Sequence, residues 1–174
     1  MASGFTSRAI TESSAAFPAS GNIETRAAAW LLCQTASRCF GFPAADIAET
    51  MRALPVEVVA GAPPFVLGVS VIRGEPVPIV DAAQLLGEQT SSSGRFITMR
   101  VGRRLIGFAI ESVVGIRSIP AQTLERLPTL LGSNNAIEAM AALDEGLTFF
   151  LNAARAIPES VLAALDGQGG AHDL

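Results

Sequence analysis

The chain of 174 residues contains no lysine and no tyrosine, and has one histidine, one tryptophan and two cysteines. Each scarcity removes a class of chemistry. His172 sits in a glycine-flanked tail where nothing orients it, so a Ser-His-Asp or Cys-His catalytic arrangement has no base. Cys33 and Cys39 lack histidine or acidic company, make no zinc site, and read as reduced core residues. Acidic residues are scattered through turns instead of clustering as metal ligands. No GxxxxGK[ST] or GxGxxG motif is present to cradle phosphates. The reading is therefore not an enzyme, with no catalytic residues, no metal and no cofactor. No apolar run approaches the ~18 residues that span a bilayer. The N-terminus lacks the basic and apolar regions of a secretory signal, so a soluble, cytoplasmic protein is expected. A net charge of −4 and a pI near 5.0 argue against nucleic-acid binding, which needs clustered cations and aromatic platforms. All twelve basic side chains are arginine, a compositional trait that also suits partly buried interfaces.

What is present is apolar surface: 49% of the residues are hydrophobic, enough for one domain or two small subdomains sharing a core. Residues 1–26 are rich in Ser, Ala and Thr without a period and read as a loose tail, as do 167–174. Between them the pattern is mainly β. Trp30 to Thr35 and Arg38 to Phe42 read as strands. Ala44 to Leu54 reads as a brief helix, because Ile47 and Met51 are spaced by one turn. Phe65 to Ile72 and Val77 to Val80 are apolar runs joined by Arg73-Gly74-Glu75-Pro76, two strands around a tight reversal. Gly74 supplies a backbone shape that a Cβ opposes. Pro78 cannot donate to a ladder, which places its strand at a sheet edge or beside a bulge. Asp81 caps a short helix from Ala82 to Leu86. Further strands are Arg95 to Val101, Arg103 to Ile110, Ile116 to Ile119, Ile137 to Leu143 and Leu147 to Leu151. A helix from Pro158 to Leu165 closes the domain.

The grammar repeats. Gly41-Phe42 falls on Gly107-Phe108 at an offset of 66, while Ile72, Asp81 and Leu86 fall on Leu143, Asn152 and Ile157 at 71. A degenerate duplication follows, with a first subdomain over about 29–87 and a second over about 95–157, each a small barrel.

The segment from Ala62-Pro63-Pro64-Phe65 through Asp81 resembles the signature of CheW-like domains, the adaptor fold of bacterial chemotaxis. A Pro-rich entry leads to a strand ending in Arg-Gly and then Val-Pro-Ile-Val-Asp. Gly107 to Val113 is similar to the family's second-subdomain strand and turn. The resemblance covers roughly Ala29 to Leu165 and implies two SH3-like five-stranded β-barrels within a CheW-like domain over 27–166. It departs from the family at Ala139, where Gly is usual, at Asn152, where Asp is usual, and at Thr50, where an aliphatic residue is commoner.

The resemblance also implies partners and sites. Such adaptors couple the cytoplasmic hairpin tips of chemoreceptors to the regulatory domain of a CheA-type histidine kinase, at membrane-associated arrays. Other copies serve pilus motility or further chemosensory systems, or act as kinase-free spacers. The implied receptor-binding groove holds Ile47, Glu49, Thr50, Arg73, Val113 and Ile116, and the kinase-binding strip holds Phe65, Val66 and Val69. For Ile47 and Val113, core packing and partner contact both require apolar side chains. For Phe65, Val66 and Val69, barrel core is the competing role on at least one face of the strand. A mean hydropathy of +0.42 also makes self-association of the isolated protein an expectation.

Overall fold

Short segments of alternating burial account for most of the secondary structure. The computed structural model describes residues 26–90, 92–128, 136–144 and 146–168. The strands are β1 (Ala27–Gln34), β2 (Cys39–Pro43), β3 (Ile47–Arg52), β4 (Val66–Ile72), β5 (Glu75–Asp81), β6 (Arg95–Val101), β7 (Arg104–Ile110), β8 (Ser112–Pro120), β9 (Glu125–Arg126), β10 (Ile137–Leu143) and β11 (Gly146–Leu151). Three short helices accompany them: α1 (Ala82–Leu85), α2 (Ala153–Ala156) and α3 (Glu159–Gln168). The tails read from sequence lie almost wholly outside the described residues.

The strands form two sheets, one ordered β8-β1-β2-β11-β10-β9 and one ordered β3-β6-β7-β5-β4. The fold is mainly β, as expected, but neither sheet closes into a barrel by a continuous ladder. Chain continuity brings the edges together instead. β9 follows β8 after one 3-10 turn, yet pairs with β10 at the opposite edge. Likewise β3 leads on to Glu57, whose N–H and C=O both bond to Val69 of β4 at 2.8 Å. Gly68 allows that approach: a Cβ there would lie 2.0 Å from the Glu57 carbonyl oxygen.

The repeat is visible in the pairing. Adding 66 carries β1–β3 onto β6–β8, and adding 71 carries β4–β5 onto β10–β11. The irregularities follow the same arithmetic: Ala48 and Val114 are skipped in register, as are Leu67 and Glu138. Gly41 pairs with Phe150, and Gly107 with Ile79, in two equivalent parallel ladders. Asp81 and Asn152 also match. Each side-chain oxygen accepts from the N–H two residues on, at 2.9 and 3.0 Å, and so starts α1 or α2.

The repeats are interleaved. Each sheet takes its first two repeat strands from one half of the sequence and the rest from the other. The sheets therefore do not divide the chain at 87 and 95 as the sequential subdomains would: β1 and β2 belong with β8–β11, and β3–β7 form the second sheet.

Two local expectations are corrected. Residues 44–54 contain a 3-10 turn, Ala44–Asp46, and then β3, not a helix. Ile47, Glu49 and Met51 are half-buried while Ala48, Thr50 and Arg52 are exposed, a period of two that a four-residue spacing cannot distinguish from a helical turn. β5 is interior, and of the two settings expected for Pro78 the second is found, since the β4 bulge lies opposite the adjoining Ile79 and Val80. Pro78 is tolerated because the ladder with β7 starts at Ile79 and its partner Val69 bonds outward to Glu57. The closing helix runs to Gln168, not Leu165.

Each sheet has its own small core. One gathers Trp30, Leu32, Ile119 and Phe150, and the other Ile72, Val77, Ile79 and Phe96. A larger cluster lies between the sheets and is built from equivalent residues: Leu31 and Ile97, Cys33 and Met99, Phe40 and Ile106, Val80 and Leu151, Leu86 and Ile157. Phe42 and Phe108 are themselves equivalent and meet with ring centroids 4.8 Å apart. Phe108→Ala removes that contact and is expected to cost about 3–5 kcal/mol in urea unfolding. Trp30 fluorescence, which reports the other sheet, should move with the far-UV signal in one transition. Separate transitions would mean that the sheets do not share a core.

Burial, and secondarily Cys39, push the Cys33 thiol up to about 12 from its usual 9.0. A thiol that stays protonated in the fold but ionises when unfolded draws the equilibrium toward the unfolded chain as pH rises. Stability should be flat below pH 9 and fall between 9 and about 12. A Cys33→Ala variant should lose part of that alkaline slope, measured by urea titration at stepped pH.

Candidate functional site

The β4–β5 reversal is the most constrained surface feature. Ile72 and Glu75 face each other across a two-residue turn, and Arg73 and Gly74 sit at φ +53° and +84°. Positive φ at both central positions is the hairpin turn that matches strand twist. Glycine adopts it freely, whereas an arginine there carries a backbone cost. The arginine side chain is held by a fork. Its Nε donates to Oε1 of Glu49 at 3.1 Å, and Nη2 donates to Oε2 at 2.7 Å. These bonds, reinforced by the glutamate charge, raise the guanidinium pKa above its ordinary value and keep it ionised.

Glu49 is on β3 and Arg73 ends β4, and these are the two edge strands of their sheet. The pair therefore bridges the open seam that the Glu57–Val69 contact closes further along. The second repeat has a counterpart with reversed charges. Asp144 occupies the turn position equivalent to Arg73, and Arg117 on β8 reaches it, Nη1 to Oδ2, at 3.4 Å.

The other expected groove residues divide. Ile47 and Val113 occupy equivalent positions at the starts of β3 and β8, partly buried against the shared core. Thr50 and Ile116 are also equivalent and exposed, Ile116 by 71%. Glu49 and Arg73 are in contact, while the other four are linked by repeat symmetry and by edge strands in different sheets.

The expected kinase-facing strip is only partly on the surface. Val66 belongs to the shared core and is 8% exposed. It is reached only as part of a cleft between Val59–Pro63 and the α3 residues Ser160, Val161 and Ala164. Phe65 is half-buried against the same core. Val69 is half-buried, opposite Pro78. The exposed residue two positions along is Val71, at 65%, which sequence reading missed. It lies beyond the bulge at Leu67, so the period of two alone puts it on the face of Val69. The Arg117–Asp144 clamp was missed as well, although Ile72 aligned with Leu143 already set Arg73 against Asp144.

Arg73→Gly should keep the turn and lose only the fork, whereas Arg73→Val forces a β-branched residue into the left-handed region. The valine variant is expected to melt several degrees below the glycine variant by calorimetry. Equal melting would show that the turn is not held left-handed.

Known proteins share this fold. The chain is 30% identical over 101 residues to Protein FrzA of Myxococcus xanthus, an alignment covering 56% of this chain and 62% of FrzA, less than two thirds of that relative's length. It is 21% identical over 154 residues to Chemotaxis protein CheW of Klebsiella aerogenes, covering 86% and 93% of the two chains. The crystal structure of scaffolding protein TtCheW from Thermoanaerobacter tengcongensis superposes with a TM-score of 0.69 at 16% identity, over 78% of this chain and 96% of that one. No helix among the described residues is long and apolar enough to cross a membrane. The model of the CheW-like domain matches residues 29–160, and with the interleaved double sheet and the Arg73–Gly74 turn it establishes that the chain belongs to the CheW-like family of non-catalytic adaptors of chemotaxis.

Proposed function

We propose that this protein couples chemoreceptors to a CheA-type histidine kinase in a cytoplasmic signalling array. The observation that carries the reading is the pair Ile47 and Val113, apolar, half-buried and equivalent by the repeat, at the rim of the core between the sheets. An apolar rim of this kind suits a helical hairpin tip, which buries side chains in a groove without needing a new pocket. Glu49 and Arg73 stand on the same edge strand system and fix its shape. Thr50 and Ile116 extend the two strands outward and complete the receptor surface. The kinase surface is the outer side of β4, where Val69 and Val71 lie opposite Pro78 and Pro76 with Phe65 at the strand entry. Val66 supports that surface from within instead of touching the partner.

Purified protein should capture both a receptor hairpin-tip fragment and a CheA regulatory domain from the same system. Val69→Glu is expected to abolish kinase-domain capture and retain receptor binding. Arg73→Glu, which sets like charges against each other at Glu49, is expected to weaken receptor capture at least tenfold. Both variants should retain the parent far-UV spectrum. Capture of the receptor fragment alone would assign a kinase-free spacer, and capture of neither cognate fragment would overturn the adaptor reading.

A further inference from the structure

The longest helix of the molecule is also its least buried. α1 and α2 have four residues each, yet α1 buries Ala82, Ala83 and Leu85, and α2 buries Ala153 and Ala156. α3 has ten residues. Of its side chains at 159–164, Val161 and Leu162 are half-buried and the others are exposed. A helix of ten residues is marginal in water by itself, so α3 depends on being docked. Val161 and Leu162 pack against the shared core, and Nη1 of Arg104 donates to the Leu162 carbonyl oxygen. On one side the packing stops short. Ser160, Val161 and Ala164 face residues 59–63 across an open apolar cleft that Val66 also lines.

The first repeat shows a firmer attachment at the same place. The offset of 66 carries Arg38 onto Arg104, and the offset of 71 carries Glu88 onto Glu159. Nε of Arg38 lies 3.2 Å from Oε1 of Glu88, and the Ser37 hydroxyl donates to that same oxygen. The Arg38 guanidinium also lies over the Phe149 ring, 5.3 Å from its centroid. Glu159, by contrast, is exposed, and Arg104 reaches a backbone oxygen three residues further on. What the looser helix covers is the start of β4. The bulge at Leu67 puts Val66 on the face of Val69 and Val71, and of these three Val66 is covered while Val71 is open.

We propose that α3 is a displaceable cover, which undocks and melts as a unit while both sheets stay folded. Its release uncovers Val66 and joins it to Val69 and Val71, lengthening the apolar strip that the kinase domain meets. The docked helix therefore restrains kinase binding, and the undocked helix permits it. Local openings of this kind are drawn from the parts of a fold with the fewest buried contacts. The restraint of kinase binding rests on the adaptor reading, whereas the undocking itself does not.

The test uses the full chain and follows α3 in two ways. Amides of α3 beyond its first turn should exchange at least tenfold faster than those of the buried end of β7, Ile106 to Ile110. A thiol introduced by Val66→Cys should react with a maleimide as α3 opens, while the buried Cys33 and Cys39 stay unreacted. Arg104→Gln removes the tie to Leu162, and should speed exchange and labelling and tighten capture of the CheA regulatory domain. Ala164→Leu fills the cleft, and should slow both and weaken that capture. Receptor-fragment capture should be the same in the parent and both variants. Exchange of α3 in step with β7 would overturn the proposal, because the helix would then open only with the whole fold. Kinase-domain capture that does not follow α3 exchange across the two variants would also overturn it. A parent that captures no kinase domain, with α3 still exchanging ahead of β7, would instead sink the adaptor reading and the restraint with it, and would leave the undocking supported.

Discussion

Everything in this molecule is arranged around the contact of Phe42 with Phe108. The two rings are equivalent by repeat and fully buried, and each sits on a strand that also pairs in parallel with the other repeat. Around them the shared core is filled twice over, Leu31 beside Ile97 in role and Leu86 beside Ile157. Burying this surface gives the two sheets one hydrophobic core rather than two marginal ones, which is what small sheets of this size lack alone. The separate cores around Trp30 and Phe96 then shape the sheets without holding them together.

Because neither ladder closes, each sheet has a seam, and the seams are where the chemistry of this protein is placed. One is fastened by Glu49 and Arg73 and the other by Arg117 and Asp144, with opposite polarity. A solvent-exposed ion pair contributes little to folding. Its use here is geometric, since it fixes an edge strand whose Ile47 faces the rim of the shared core. The left-handed arginine makes the same point. A backbone cost is accepted at the position from which a planar fork can reach the glutamate.

Much of this could be read from the sequence, for reasons that can be named. Proline, glycine and alternating apolar residues marked the β4–β5 hairpin, because each acts on its own neighbours. The duplication was legible because equivalent positions keep equivalent burial, and offsets of 66 and 71 recur in the strand register. What escaped was set by residues distant in sequence. Ile47 and Met51 would share a face in a helix and in a regular strand alike, so only pairing with β6, where a bulge at Ala48 sends them to different cores, decides between them. The interleaving of repeats has no local signature at all. Val66 and Val69 are three apart and would take opposite faces of a regular strand; the bulge at Leu67 puts them on one face, where the shared core covers Val66. The partner of Arg73 lay 24 residues away, beyond the reach of any pattern read along the chain.

Interleaving also gives the chain an order of assembly. The five-stranded sheet is drawn from Ile47 to Ile110 without interruption, so all its strands are present once the first two thirds of the protein exist. The six-stranded sheet joins Gly41 to Phe150, and that pairing waits for nearly the last strand. During synthesis the β1–β2 hairpin gains its first partner strand when β8 adds to β1, while the other edge of β2 still waits for β11. Contacts so far apart in sequence form slowly. Of the two parallel ladders that join the repeats, the one between β5 and β7 is thus available to the nascent chain well before the one between β2 and β11.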